Sequence, residues 1–131
     1  MKKRRRPQRP ERVEKGAVIK KGRHLVKAAL VYPNTYQAGM SSLGFQTVYH
    51  LANQVETLAC ERVFMPDPRA RDKEIKSVES GMRLAQFDLI LFSISFENDF
   101  FNLVKMLKEA GIPLRSSKRN HTHHQIGRAH V

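Results

Sequence analysis

The segment from Val31 to Gly44, VYPNTYQAGMSSLG, constrains what this chain can fold into more than any other stretch. It follows an apolar run, Leu25 to Val31, with the length and β-branched content of a buried strand. It leads into helical spacing that begins near Ser42. A strand that passes through a long Pro-, Asn-, Gly- and Ser-containing loop into a helix belongs to an α/β sheet. In such sheets that loop lies at the carboxyl edge, where ligands bind. Loops of this length in a small unit carry function more often than mere connection.

The rest of the chain repeats this grammar. His24 to Tyr32 reads as the first strand, near-continuously apolar as a parallel strand covered on both faces should be. Ser41 or Ser42 can cap the helix that follows. Phe45, Val48, Tyr49 and Ala52 fall at i, i+3, i+4 and i+7, and Leu51 and Val55 widen the stripe. Cys60 to Met65 predicts a second strand, stopped by Pro66 and Pro68, with a polar loop over Asp67 to Lys73. Ile75 to Val78 reads as a short edge strand. Phe87 to Ser95, FDLILFSIS, is the strongest strand signal in the chain. A second helix starts at Asn98 or Asp99 with Phe100, Leu103, Val104 and Leu107 on one face, and Gly111 and Pro113 close it. Ile112 to Leu114 would open a further strand. Alternating strands and helices imply βαβ units, a parallel sheet and right-handed crossovers: a Rossmann-like or flavodoxin-like α/β domain of three layers. The first strand and the Phe87 strand should lie side by side with their helices on opposite faces. The loops Pro33 to Ser42 and Ser95 to Asp99 then flank the topological switch point.

Charge divides the chain into three parts. The formal charge of +12 comes from net +9 over Met1 to His24, −1 over Leu25 to Leu114, and +4 over Arg115 to Val131. The basicity is therefore in the ends, and residues 1–22 read as a loose basic arm, low in apolar content. Its KKRRR run offers weak phosphate contact with nucleic acid through Lys2 to Arg23, with no interleaved aromatics to read bases. No apolar run approaches the roughly 18 residues of a membrane span, and no apolar region follows the basic start as in a secretory signal. The cytoplasm is the expected compartment. A single cysteine, Cys60, excludes a disulfide framework and a cysteine-based metal cluster within the chain.

The candidate binding residues lie on the two switch-point loops. Gly39, Ser41 and Ser42 can offer N–H groups and hydroxyls to an anion; a turn glycine and a helix cap account equally well for them. Ser93, Ser95, Glu97, Asn98 and Asp99 form a polar cluster after an apolar strand, and Glu97 could meet a ribose, an amine or a neighbouring loop. Tyr32 and Tyr36 can stack on a flat ligand or cover the core edge. Asn34 completes the set. There is no G-x-G-x-x-G, Walker lysine or G-x-S-x-G pattern. His50 has no metal-ligating partner at the right spacing, and Cys60 reads as a buried inert thiol.

With these residues in view, a resemblance emerges. LVYPNTYQAGMSSLGFQTVYHLANQ, CERVFMPD and SVESGMRLAQFDLILFSISFENDFFNLVKMLKEAGIPLRS resemble the amino-terminal region of a largely uncharacterised group of radical S-adenosylmethionine proteins. The likeness runs from about Ala29 to Arg119. Its most specific parts are Tyr32-Pro33-Asn34, Gly39-Met40-Ser41, Leu43-Gly44, Glu61-Arg62-Val63-Phe64, Glu79-Ser80, Phe87-Asp88 and Phe92-Ser93. The resemblance implies a cobalamin-binding-like domain, residues 23–119, ahead of a catalytic barrel. That barrel would hold a [4Fe–4S] cluster and S-adenosylmethionine and would be this domain's partner in the same polypeptide. Two departures matter. The CxxxCxxC cluster motif is absent, and one cysteine cannot ligate a cluster. The D-x-H-x-x-G motif for cobalamin's lower axial histidine is replaced by PNTYQAG, so any cobalamin would bind without that ligand.

The resemblance casts Tyr32, Asn34, Tyr36, Gly39, Ser41, Ser42, Ser95, Glu97 and Asn98 as crevice or interdomain contacts, with no catalytic residue among them. Residues 120–131 look foreign: IGRAHV resembles a translated sequencing-adapter read, so the α/β domain is expected to be incomplete at its carboxyl end, and the nearby His121, His123 and His124 are discounted as a metal tract. Two other classes stay open. One is a basic RNA-binding module acting through the arm. The other is a stand-alone nucleotide-binding α/β domain, although the first strand lacks the paired acids of a magnesium-binding receiver.

Overall fold

The computed structural model describes residues 14–119 and 125–128. Strand β1, Val26–Tyr32, leads into a five-residue helix α1, Tyr36–Met40, and then helix α2, Leu43–Gln54. Strand β2, Leu58–Phe64, follows. A long excursion returns through a 3₁₀ turn at Leu84–Gln86 to strand β3, Leu89–Phe92. Helix α3, Asp99–Glu109, and strand β4, Gln125–Arg128, complete the order. The sheet order is β2-β1-β3-β4, with every pairing parallel. Leu30 sits between Arg62 and Leu91 in the register, so β1 is central.

The α/β class is thus as expected, and the alternation of β1 explains its layers. Successive residues point to opposite faces of a strand. Leu30 and Tyr32 pack with Phe45 and Tyr49 of α2, together with Cys60 and Phe64 of β2. Ala29 and Val31 join Val63, Phe92, and Met106 and Leu107 of α3. The two helices therefore cover opposite faces, and the strand order reverses between β1 and β3.

Four features depart from the sequence expectation. The loop after β1 contains a helical turn, α1, capped at its start by the Thr35 hydroxyl, which accepts from Ala38 N–H. Ile75–Val78 makes only isolated antiparallel bridges, Val63 to Ser77 and Lys76 to Arg83, with Ser77 bonded to Glu61 of β2 and Lys76 to Asp72. Ile112 is buried beneath the end of α3 but opens no strand, and Pro113 there has no N–H to offer a ladder. Helix α3 is rotated from the apolar stripe read in the sequence. Asp99, Leu103, Met106, Leu107 and Ala110 face inward, whereas Phe100 and Val104 face solvent. Likewise Leu51 and Val55 of the first stripe are exposed.

The described part of the amino-terminal arm is attached to the domain. Val18 N–H donates to the Tyr49 hydroxyl at 2.8 Å. The Lys20 ammonium donates to the carbonyls of Asn53, Val55 and Leu58 at 2.5, 3.0 and 2.9 Å, which places a cation at the carboxyl end of α2. Residues 1–13, with the KKRRR run, lie outside the described residues.

Gly39 is a contact glycine. A Cβ there would lie 2.3 Å from Phe64 Cε1 and 3.1 Å from Tyr32 Cγ, so α1 rests directly on two core rings. Gly39→Ala is expected to lower unfolding free energy by about 1–3 kcal/mol, the usual cost of overpacking, measured by urea denaturation. A fully stable variant would show that α1 can lift without loss.

Candidate functional site

The loops after β1 and β3 meet, but they meet each other. The buried Asp99 carboxylate accepts from the N–H groups of Ser95 and Phe96 at 3.4 and 3.2 Å, closing the turn ahead of α3. Its other oxygen accepts from Asn34 Nδ2 at 3.4 Å, and Asn102 Nδ2 donates to the Pro33 carbonyl at 2.9 Å. These bonds stitch the β1 loop to α3 across the switch point.

The sequence-selected residues fall into place around this seam. Tyr32 is buried edge-on against Phe45, with ring centroids 5.5 Å apart. The Asn34 Oδ1 accepts from Thr35 N–H, as in a tight turn. Ser42 caps α2 by accepting from Phe45 N–H at 3.3 Å, and the Ser41 hydroxyl donates to the Gln37 carbonyl. Ser95, Glu97 and Asn98 are exposed at the start of α3. Tyr36 packs edge-on to Phe64 and donates its hydroxyl to Glu14 at 2.7 Å.

A surface cavity of about 670 Å³ opens on the other side of β1, at the carboxyl end of β2. Tyr36 and Phe64 form its aromatic wall, and Arg69, Asp72, Glu74 and Lys76 supply charges of both signs. Tyr36 is the one sequence-selected residue that lines it. The Asp72 carboxyl is held below its usual range by the hydrogen bond from Lys76, 2.6 Å away, whose ammonium is held above its own.

Behind this cavity lies a buried polar network that sequence reasoning treated only as a family marker. Arg62, almost fully buried, donates through Nε to Glu79 at 2.6 Å. Its two terminal nitrogens reach both oxygens of Glu14, and the guanidinium lies 4.8 Å from the centroid of the Tyr49 ring. Glu61, on the opposite face of β2, accepts from Ser77 Oγ at 2.9 Å and from Ser80 N–H at 3.0 Å. The same residues seal the outer edge of β2. Arg62 N–H donates to Glu79 at 2.8 Å, and the Arg62 carbonyl accepts from Val78 N–H at 2.9 Å. The Asn53 amide clamps both backbone groups of Cys60 at 3.0 Å. The signal in the sequence was the placing of Glu61 and Arg62 inside an apolar strand, which only buried partners can support.

Cys60 is enclosed. Burial pushes its thiol up from 9.0 to about 12, helped by the negative charges of Glu79 and Glu61, so it is no thiolate nucleophile at neutral pH. Among the described residues no group of three or more His, Cys, Asp or Glu could hold a metal ion. A [4Fe–4S] cluster does not fit this chain, with its one cysteine buried and protonated. Helix α1 (YQAGM), after the first strand, holds no histidine that could serve as a lower axial ligand to a cobalamin.

Fold and edge architecture define a doubly wound parallel α/β domain whose switch point is closed by its own side chains. The family described as radical SAM proteins, N-terminal, matches residues 44–127, and the chain belongs to it. An uncharacterized protein of Methanocaldococcus jannaschii is 31% identical over 81 residues, covering 62% of this chain. The matched region spans 15% of that relative's length. No solved structure matches. The family match begins after the YPN loop and continues into β4, so it takes in part of the segment 120–131 that reads as foreign in sequence.

Arg62→Met should cost about 3–5 kcal/mol, because it leaves the Glu79 carboxylate buried without a cation. Arg62→Met with Glu79→Leu should recover part of that loss in the same denaturation experiment. Alkali should act through Cys60, and through Tyr49, whose phenol burial raises to about 12. Both folded-state values lie above the unfolded ones, so their contribution is whole below pH 9 and is lost as pH rises toward 12. Unfolding free energy should fall over that window, and Cys60→Ala should reduce the slope.

Proposed function

We propose that this chain is the accessory, crevice-forming domain at the amino-terminal side of a radical S-adenosylmethionine protein, with no chemistry of its own. Reductive cleavage of S-adenosylmethionine belongs in this reading to a cluster-bearing barrel elsewhere in the longer polypeptide. The observation that carries it is the pairing of a family match over residues 44–127 with a chain holding a single, buried, protonated cysteine. The cluster ligands must come from another region.

The domain's contribution is shape and water exclusion. Its carboxyl edge presents one seam, stitched by Asn34 and Asp99, and one cavity, at the end of β2. The cavity is where a substrate portion would enter, against Tyr36 and Phe64, with Arg69 on its wall to meet an anionic group. Ser95, Glu97 and Asn98, exposed beside the seam, are contacts for the barrel rather than for a buried cofactor. Cobalamin, if the polypeptide uses it, would bind with its lower face unligated by this domain. No helix among the described residues is long and apolar enough to cross a membrane, and the cytoplasm suits the oxygen-sensitive chemistry proposed. Lys20 is spent on carbonyls of the domain and is not offered to nucleic acid.

The test is anaerobic reconstitution with iron and sulfide. The chain alone should retain no iron, whereas the full-length archaeal relative should take up a cluster and cleave S-adenosylmethionine when reduced. Deleting the matched region should leave the cluster and lower turnover. A full-length relative that binds no cluster would sink the proposal.

A further inference from the structure

Helix α3 and the turn ahead of it carry aromatic side chains that the core does not cover. Phe96, Phe100, Phe101 and Val104 are 67%, 50%, 78% and 39% exposed, while the inner face of the helix is filled by Leu103, Met106 and Leu107. Phe100 and Val104 fall at i and i+4 of the helix and Phe101 lies a turn from Val104, so these three share one side; Phe96 is exposed in the turn just ahead of the helix. The apolar side is confined to the first turns of α3, at the carboxyl edge of the sheet; Lys105, Lys108 and Glu109 make the far end polar. The Asp99 bonds to Ser95 and Phe96 N–H and to Asn34 hold this end of the helix in place. The rings are therefore displayed by a fixed scaffold rather than left over from loose packing.

We infer that this face seats the continuing polypeptide, the part that in the archaeal relative lies outside the matched region. The inference rests on the accessory-domain reading and gives that reading its contact surface. Size and tethering together point to the occupant. Three half- to three-quarters-exposed phenylalanines and a valine present roughly 400 Å² of apolar surface. A stable complex of separate chains needs about 800 Å² per partner, polar rim included, so this patch alone sits at the lower limit for one. Domains within one chain associate through smaller surfaces, because the tether supplies a high effective concentration. The relative has ample chain for this role, since the matched region is 15% of its length. A second copy of this chain, untethered, would gain no such effective concentration.

Hydroxyl-radical footprinting tests the assignment. The isolated 131-residue chain should label strongly at Phe96, Phe100 and Phe101, to the same extent from low to high protein concentration. In a chimera where this chain replaces the matched region of the archaeal protein, labelling of these three should fall at least fivefold. Leu43, exposed on the opposite sheet face, should label equally in both. Unprotected phenylalanines in a chimera that holds its iron–sulfur cluster would overturn the surface assignment and leave the accessory-domain reading intact. A full-length archaeal protein that holds no cluster would remove that reading, and this inference with it. Concentration-dependent protection in the isolated chain, abolished by Phe101→Ser, would give the face to a second copy and equally overturn the inference.

Discussion

The rest of this domain depends on how the outer edge of β2 is closed. An edge strand presents unpaired N–H and C=O groups, which invite another strand. Here Cys60 and Arg62, whose backbone groups face that edge, have both satisfied, by the Asn53 side chain and by Glu79 and Val78. The Arg62 guanidinium then reaches Glu79 and Glu14, tying the returning loop and the amino-terminal strap to one point. A buried ion pair is weak evidence of stability, since desolvation offsets its attraction. What it fixes here is placement: Glu79, and with it the segment 77–80, is held against β2 by the Arg62 N–H and Nε.

That closure shapes the carboxyl edge. With Ser77 and Ser80 drawn to Glu61, the chain between β2 and β3 arches over the end of β2 and forms one wall of the cavity beside Tyr36. The switch point, where ligands enter many open α/β sheets, is occupied by Asn34 and Asp99. The domain therefore offers a cavity displaced by one strand and an aromatic ridge on α3.

Legibility followed periodicity. The strands at 26–32, 58–64 and 89–92 lie within or beside the apolar runs that predicted them, and Ser42 caps α2 as its spacing implied. The rotation of α3 was not legible. Counting apolar residues puts Phe100 and Val104 inside, but a buried aspartate sets the phase, because Asp99 must reach Ser95 and Phe96 N–H to close the turn. The candidate site divides the same way. Gly39, Ser41 and Ser42 were rightly placed at the strand-to-helix passage, yet packing and capping account for their contacts.

By itself the sequence determined the class of this protein. Apolar runs that end in polar loops and pass into helical spacing require a parallel α/β sheet, because both faces of such strands must be covered. Its CERVF and ES wording also marked the family. Only the tertiary structure decided what those words do. Glu61 and Arg62 are adjacent in sequence and point to opposite faces of the sheet, and their partners lie 16 to 19 residues onward or 48 residues back. Distances of that kind follow from how the chain folds over the edge of β2, which no local pattern encodes.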